Sequence, residues 1–286
     1  MIARAADWWA GGSRIGGPGG HRVFVRAEGP QGTPTMTFLH GFPTSSLDWA
    51  SMFDRLRGDT RLIALDFLGF GDSDKPKPHR YSLLEQADAV EAVWKHLGVE
   101  RTAVVAHDYG VSVAQEVLAR RDDRDLPVEV TAAAFLNGGM IPSLHRPLTV
   151  QKLLAHRFTG PVLTRLVSER TFTRGLRRVI ARPLSDAELH EHWLAFRSRG
   201  GRDLGHPLLA YIEERVRYAP RWERAIARAD VPLRFVWGPL DPVSGAHMLA
   251  ELRLRRPDAA FAELAGVGHY PQLEEPDAVA RELRRL

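Results

Sequence analysis

VVAHDYGVS (104–112) runs an apolar strand into a sharp turn and out again into a helix, and its reading decides the fold. Small residues, Ala106 and Gly110, stand two positions either side of the central one. That spacing belongs to an elbow in which a strained strand-to-helix turn lifts one side chain above a sheet. The lifted residue here is Asp108. An aspartate would also suit a plain helix N-cap, so the elbow needs support from the rest of the chain.

Working outward, strands and helices alternate. HRVFVRAEG (21–29), TMTFLHG (35–41) and RLIALDF (61–67) read as strands, with an amphipathic stretch from about Ser45 to Arg57 between the last two. Leu83 to Leu97 has helical periodicity and stops at Gly98, a C-terminal helix signal. TAVVAHD (102–108) is continuously apolar, as buried parallel strands are. A helix over about 110–120 and the strand VTAAAFLN (130–137) follow. The strand pattern then lapses until PLRFVWG (232–238) and AAFAELAG (259–266), and a helix from about Pro276 closes the chain. Alternation of this kind predicts a doubly wound, mostly parallel sheet. The intervening stretch holds only helical segments broken by Pro and Gly. Inserted between two parallel strands, it lies at their carboxyl ends, where open α/β sheets bind ligands. The expected division is a core of residues 1–138 and 223–286 with a helical cap over 139–222. Gly16 to Gly20 read as flexible punctuation after an N-terminal arm.

Composition narrows the function. With no cysteine among 286 residues, disulfides, thiolate metal sites and a cysteine nucleophile are excluded. The net charge is +4, and nearly all the basic residues are arginines interspersed with acids, which argues against a nucleic-acid partner. No apolar run approaches the ~18 residues of a membrane span, and the chain reads as soluble and cytoplasmic. Trp8 and Trp9 are expected to pack onto the domain or a partner rather than to touch a membrane.

The supporting motifs lie in the right order. HGF (40–42) ends the second strand, where a loop supplies one backbone N–H of an oxyanion hole; the residue after the elbow aspartate, Tyr109, supplies the other. Asp241, in WGPLDPV, follows a strand, and His269, in GVGHYPQLEEP, precedes the last helix. Nucleophile, acid, histidine is the chain order of the α/β-hydrolase fold. Asp66 and Asp72 compete as acids, but turn-forming roles account for them in LDFLGFGDSD.

HGFPTSSLDW (40–49), ALDFLGFGDSDKP (64–76), HDYGVSVAQE (107–116) and GHYPQLEEP (268–276) resemble the epoxide hydrolase and haloalkane dehalogenase branch of the α/β-hydrolases. FLNGG (135–139), HRPLTVQKLL (145–154), TRLVSERTFTRGL (164–176) and GPLDPV (238–243) resemble still more closely the mesoderm-specific transcript group and its bacterial relatives. The resemblance implies an aspartate nucleophile at Asp108, an acid at Asp241 and a base at His269. It also suggests His40, Pro43, Trp49 and Asn137 as pocket residues.

An aspartate nucleophile disfavours esterase chemistry. Attack on an ester would give an anhydride, whereas attack on an sp³ carbon gives an ordinary ester that a histidine-activated water can cleave. Dehalogenases typically hold the halide with a tryptophan after the nucleophile and an asparagine after His-Gly; here those positions are Tyr109 and Phe42. An epoxide needs a proton on its departing oxygen, and tyrosine is a suitable donor. HPLLAYIEERVRYAPRW (206–222) resembles the second cap helix of epoxide hydrolases and puts Tyr211 at a lid tyrosine. No second lid tyrosine occurs over 138–205, and His156 is the substitute candidate. The expectation is an epoxide hydrolase without metal or organic cofactor, monomeric or homodimeric, taking a small apolar epoxide-like substrate. Haloalkane dehalogenase and a non-catalytic ligand-binding homologue are the alternatives.

Overall fold

The structure, a computed structural model, describes residues 3–123 and 125–286. Its strands are β1 (Ser13–Gly16), β2 (Arg22–Glu28), β3 (Thr35–Leu39), β4 (Arg61–Leu65), β5 (Arg101–His107), β6 (Glu129–Leu136), β7 (Leu233–Trp237) and β8 (Ala260–Glu263). They form one eight-stranded sheet in the order β1-β2-β4-β3-β5-β6-β7-β8. Pairing is antiparallel for β1 with β2 and β2 with β4, and parallel from β4 to β8.

The helices of the first half are α1 (Ala5–Ala10), α2 (Ala50–Leu56), α3 (Leu83–Leu97) and α4 (Tyr109–Asp122). Between β6 and β7 come α5 (Thr149–Ala155), α6 (Gly160–Arg165), α7 (Glu169–Arg177), α8 (Asp186–Arg197), α9 (Gly205–Leu208) and α10 (Tyr211–Arg228). The chain ends with α11 (Ala246–Arg255), α12 (Pro271–Glu274) and α13 (Pro276–Leu283). Local signals set several of these bounds. Ser82 caps α3 by accepting from the Leu84 amide, and Gly98 ends it at φ 61°; Ser185 and Glu188 form a capping box on α8.

The glycine-rich stretch expected as flexible punctuation is ordered, with Gly16 ending β1 and Pro18–Gly20 forming a short 3-10 turn. The arm before it packs onto the domain, as expected of its tryptophans. Ser13–Gly16 adds an antiparallel strand, and Trp8 from α1 is buried against Phe53 with its indole N–H on Ser46 Oγ at 2.9 Å. SRIG offers one apolar residue and no alternation, so its pairing follows from an available sheet edge and not from its own pattern. Towards the other end, α10 runs through position 222 without a break, carrying Pro220 inside it, and packs along α4.

Register brings the expected site loops to one edge. Leu39 pairs with Ala106, His107 with Leu136 and Leu136 with Val236. The segments that follow β3, β5, β6 and β7 therefore emerge side by side at the carboxyl ends, beneath the helices inserted after β6.

Candidate active site

The elbow is strained where the spacing requires it. Asp108 has φ 44° and ψ −101°, outside the regions open to most L-residues. Its amide donates to the Asn137 carbonyl at 2.9 Å, and the Gly110 amide donates to the His40 carbonyl at 2.9 Å. A Cβ on Gly110 would lie 2.5 Å from the Leu39 carbonyl oxygen, so only glycine lets the helix start this close to β3. Such backbone costs about 1–3 kcal/mol and persists because neighbours over-determine it.

The Asp108 carboxylate is buried, with Oδ2 accepting from the Phe42 amide at 3.0 Å and Oδ1 3.9 Å from His269 Nε2. Tyr109 opens α4, so its amide is one of the helix's first N–H groups and has no intrahelical acceptor. On the far side of the imidazole, Nδ1 lies 2.7 Å from Asp241 Oδ2. Asp241 is fully engaged: Oδ2 also accepts from Ser244 Oγ at 2.6 Å and Asn137 Nδ2 at 3.0 Å, and Oδ1 accepts from the Val243 amide at 2.8 Å. The expected Asp108, Asp241 and His269 thus come together from three loops.

Burial pulls His269 down, but the adjoining Asp241 carboxylate outweighs it and raises the imidazole to about 9. Burial pushes Asp108 up, and the charges of His269 and Arg215 overcome it, leaving the carboxyl below its usual range. For Asp241 the balance is the same: burial raises it, and His269, Ser244 and the Val243 amide together hold it well below the usual range. At rest near neutral pH the arrangement favours a carboxylate at Asp108 beside an imidazolium oriented by Asp241, so His269 must lose its proton before it can act as a base.

The other expected residues divide. Pro43 lines the cavity. His40 does not: burial lowers its pKa to about 4, its Nδ1–H faces the Gly41 carbonyl at 2.8 Å, and its Nε2 accepts from the Phe67 amide at 3.1 Å. It holds the loop that carries Phe42. Asn137 likewise braces the site, bridging Asp241 to both the amide and the carbonyl of Gly238. Trp49 sits in the core against Phe38, with ring centroids 5.2 Å apart, because its turn faces α2 and the sheet. Asp66 is occupied by the Ser46 and Asp72 amides at 2.8 and 2.7 Å, which organises the glycine-rich turn. His156 is exposed beside Phe158 and away from the site.

Tyr211 is buried between Phe42 and Tyr109, ring centroids 6.0 and 5.1 Å away, and its hydroxyl has no hydrogen-bond partner among the described residues. Burial raises its pKa, and the Asp108 charge raises it further.

A cavity of about 170 Å³ lies between the strand ends and the inserted helices. Asp108 and His269 line it, with Phe42, Pro43 and Tyr270 from the core and Leu148, Leu154, Phe172, Leu176 and Val179 from above. Tyr211 and Arg215 do not line it. No group of three or more His, Asp or Glu suited to a metal occurs among the described residues.

Several supporting residues are not legible in the motifs. Arg215, on α10, is only 2% exposed; it donates to the Asp108 carbonyl at 2.8 Å and to Ser112 Oγ at 2.7 Å, and stands 3.6 Å from Asp108 Oδ1. Its guanidinium also stacks over Tyr211 at 4.5 Å. A Cβ on Gly139 would lie 2.7 Å from Arg215 Nη1, so the glycine makes room for this side chain. His107 Nε2 lies 2.8 Å from the His269 carbonyl. Glu274 accepts from the amides of Gly268, Ala181, Arg182 and Tyr270 at 2.8–2.9 Å, pinning the His269 loop to the helical insertion. A long-range partner of this sort leaves no local pattern; only the glycine at 139 hints that something large approaches.

An eight-stranded, mostly parallel sheet with an elbow aspartate, an acid and a histidine at its carboxyl edge defines the α/β-hydrolase fold, and the chain belongs to that family. The family pattern of the alpha/beta hydrolase fold matches residues 34–276. The chain is 45% identical to the LipZ protein of Mycobacterium tuberculosis over 282 residues, 98% of this chain and 97% of that protein. It is 43% identical to the human mesoderm-specific transcript homolog protein, over 90% of this chain and 80% of that one. Among solved structures, the haloalkane dehalogenase DbeA from Bradyrhizobium elkani superposes with a TM-score of 0.82 at 24% identity, covering 95% of each chain. The chain is therefore a member of the alpha/beta hydrolase family, and its fold is that of the dehalogenase structure it superposes on.

Proposed function

We propose that the chain opens epoxides to vicinal diols through an ester formed on Asp108. A carboxylate oxygen of Asp108 attacks a ring carbon, the ring C–O bond breaks, and the departing alkoxide takes the Tyr211 phenol proton. His269 then removes a proton from water, and the resulting hydroxide attacks the ester carbonyl carbon. The tetrahedral oxyanion is held by the Phe42 and Tyr109 amides. Its collapse releases the diol and restores Asp108, and the proton held by His269 returns to the Tyr211 phenolate.

One observation carries this reading. The strained residue of the elbow is an aspartate whose carboxylate has one oxygen on the Phe42 amide and the other 3.9 Å from His269 Nε2. A group held there is set up for two-step ester chemistry. The choice of epoxide rests on the buried, unpartnered Tyr211 hydroxyl beside the Asp108 charge, and on the lack of a side-chain N–H donor at positions 42 and 109. A second reading, halide displacement on the same aspartate, is favoured by the absence of Tyr211 from the cavity lining.

The test uses His269→Gln, which leaves alkylation possible and blocks ester hydrolysis. Incubated with a styrene-type epoxide, this variant should accumulate the substrate's mass on the peptide bearing Asp108. An unmodified Asp108 peptide, or full turnover by the variant, would remove Asp108 from the nucleophile's role. In the same assay, Tyr211→Phe should slow adduct formation from the epoxide by ~10²–10⁴-fold, the usual span of general acid catalysis. Its adduct formation from a bromoalkane should stay unchanged. If the wild type releases bromide faster than it makes diol, halide displacement becomes the better reading.

A further inference from the structure

The inserted helices α5 to α7 and their joining turns expose apolar and basic side chains together. Of the large apolar residues exposed among the described ones, five, Val150, Leu153, Phe158, Val162 and Leu166, fall within α5, α6 and the turns that join and follow them, while Val216, Leu240 and Leu254 lie elsewhere. Phe158, Val162 and Leu166 are 58–67% exposed. No residue of α5 is buried. Basic residues are interspersed with these apolar ones along the chain, and the Arg157 guanidinium stacks over the Phe158 ring. Residues 146–182 hold nine Lys and Arg against the single acid Glu169, on a chain whose net charge is only +4. Glu169 is taken by His190. Arg146, Lys152, Arg157, Arg165, Arg170, Arg174 and Arg178 are exposed and make no ion pair among the described residues. The same segment borders the active-site cavity, for Leu148, Val150, Gln151 and Leu154 line it.

We propose that this face docks on an anionic lipid surface and presents the cavity to it. Exposed apolar side chains insert at the boundary between headgroups and acyl chains, while Lys and Arg gain attraction from anionic headgroups. The charge argues against a second copy of this chain as occupant. A two-fold contact presents the same patch from both sides, so it would press one set of unpaired cations against another. An acidic lipid surface offers the complement to both features, and α5 stands between that surface and the cavity. An apolar substrate dissolved in lipid would then reach Asp108 past residues such as Val150 and Leu154 without passing through bulk water. The docking itself does not depend on epoxide chemistry.

The test is co-sedimentation of the whole chain with substrate-free vesicles. Phosphatidylglycerol mixed into phosphatidylcholine should bind it at least ~10-fold more tightly than phosphatidylcholine alone, and added salt should erase the difference. Phe158→Ser combined with Leu166→Ser should lower partitioning by ~10–100-fold, from the apolar area withdrawn, with thermal melting unchanged because both sites are exposed. Arg157→Glu combined with Arg165→Glu should abolish the preference for anionic vesicles. Failure of the wild type to bind at low salt, or variants that bind as it does, would overturn the proposal. So would a dimer in solution that the Phe158 and Leu166 changes dissolve. A failed epoxide assay alongside intact vesicle binding would count against the proposed chemistry alone, and the reverse result against the docking face alone.

Discussion

The loops at the strand ends and the outer helices of the insertion answer their polar groups in opposite ways. The loops carrying Asp241 and His269 are densely cross-bonded: Asp241 takes four donors, Glu274 accepts from four amides, and Asn137 engages both polar groups of Gly238. On α5 and α6 only Gly160 and Thr164 are buried, and cations stand without acids. The difference teaches where rigidity is invested. An ester mechanism needs carboxylate, amide and imidazole fixed within fractions of an ångström. The outer helices need only to cover the cavity and meet whatever brings substrate. Low burial is also what lets such segments move at small cost.

The sharpest way to break this comparison is to loosen one bond in the rigid region. Asp241→Asn should slow ester hydrolysis by ~10⁴-fold, the order seen when the orienting acid of a triad is neutralised, and adduct on Asp108 should accumulate as it does in His269→Gln. Loss of the carboxylate charge also removes what raises His269. In the wild type, hydrolysis should climb with pH as His269 loses its proton. The midpoint should lie below the resting value of about 9, because alkylation removes the Asp108 charge that also supports the imidazolium. By the same linkage, His269 has its folded-state pKa above its unfolded one. The stability it contributes is therefore full below about 6.5 and is lost as pH rises through about 9. A flat hydrolysis rate from pH 6 to 10 would contradict this assignment.

Arg215→Met tests whether the two regions are joined. This buried guanidinium links α10 to the elbow carbonyl, so removing it should cost about 3–5 kcal/mol of stability, as loss of one member of a buried charged pair does. A structural loss alone would lower only the melting temperature. If Arg215 also sustains the Asp108 charge, the acid limb of adduct formation should move to higher pH in Arg215→Met and stay in place in Arg215→Lys. An unmoved limb in both variants would reduce Arg215 to a strut. The smallest effect belongs to the outer face. Leu153→Ser, at a residue 47% exposed, should change stability by no more than about 0.5 kcal/mol in a thermal melt. A larger loss would show that α5 is packed more firmly than its burial indicates.

Much of the site was legible because its signals are local. Leu83–Leu97 begins and ends where Ser82 and Gly98 put it, and the elbow glycine at 110 is required by contact with a strand that the apolar pattern already marked. The order Asp108, Asp241, His269 follows from alternating elements, each feeding one loop to the same edge. Other readings fell short for physical reasons. Trp49 stands in a motif that suggests a pocket, but its turn points it into the core. Ser13–Gly16 has too few apolar residues to announce a strand, and it pairs because β2 offers an open edge. Tyr211 begins α10, and its ring packs against Phe42 and Tyr109 outside the cavity lining, a placement that only the fold of the insertion sets.

By itself, then, the sequence determined the strand order along the chain from β2 onward, the elbow at Asp108 and the position of the helical insertion, since periodicity, caps and turn glycines act within a few residues of themselves. Only the tertiary structure decided that Arg215, 107 residues from Asp108, would stand beside its carboxylate, and that arginines and apolar residues scattered over α5 to α7 would stay exposed. Those outcomes depend on how the insertion folds back over the sheet, and burial and charge pairing across such distances have no period in the chain.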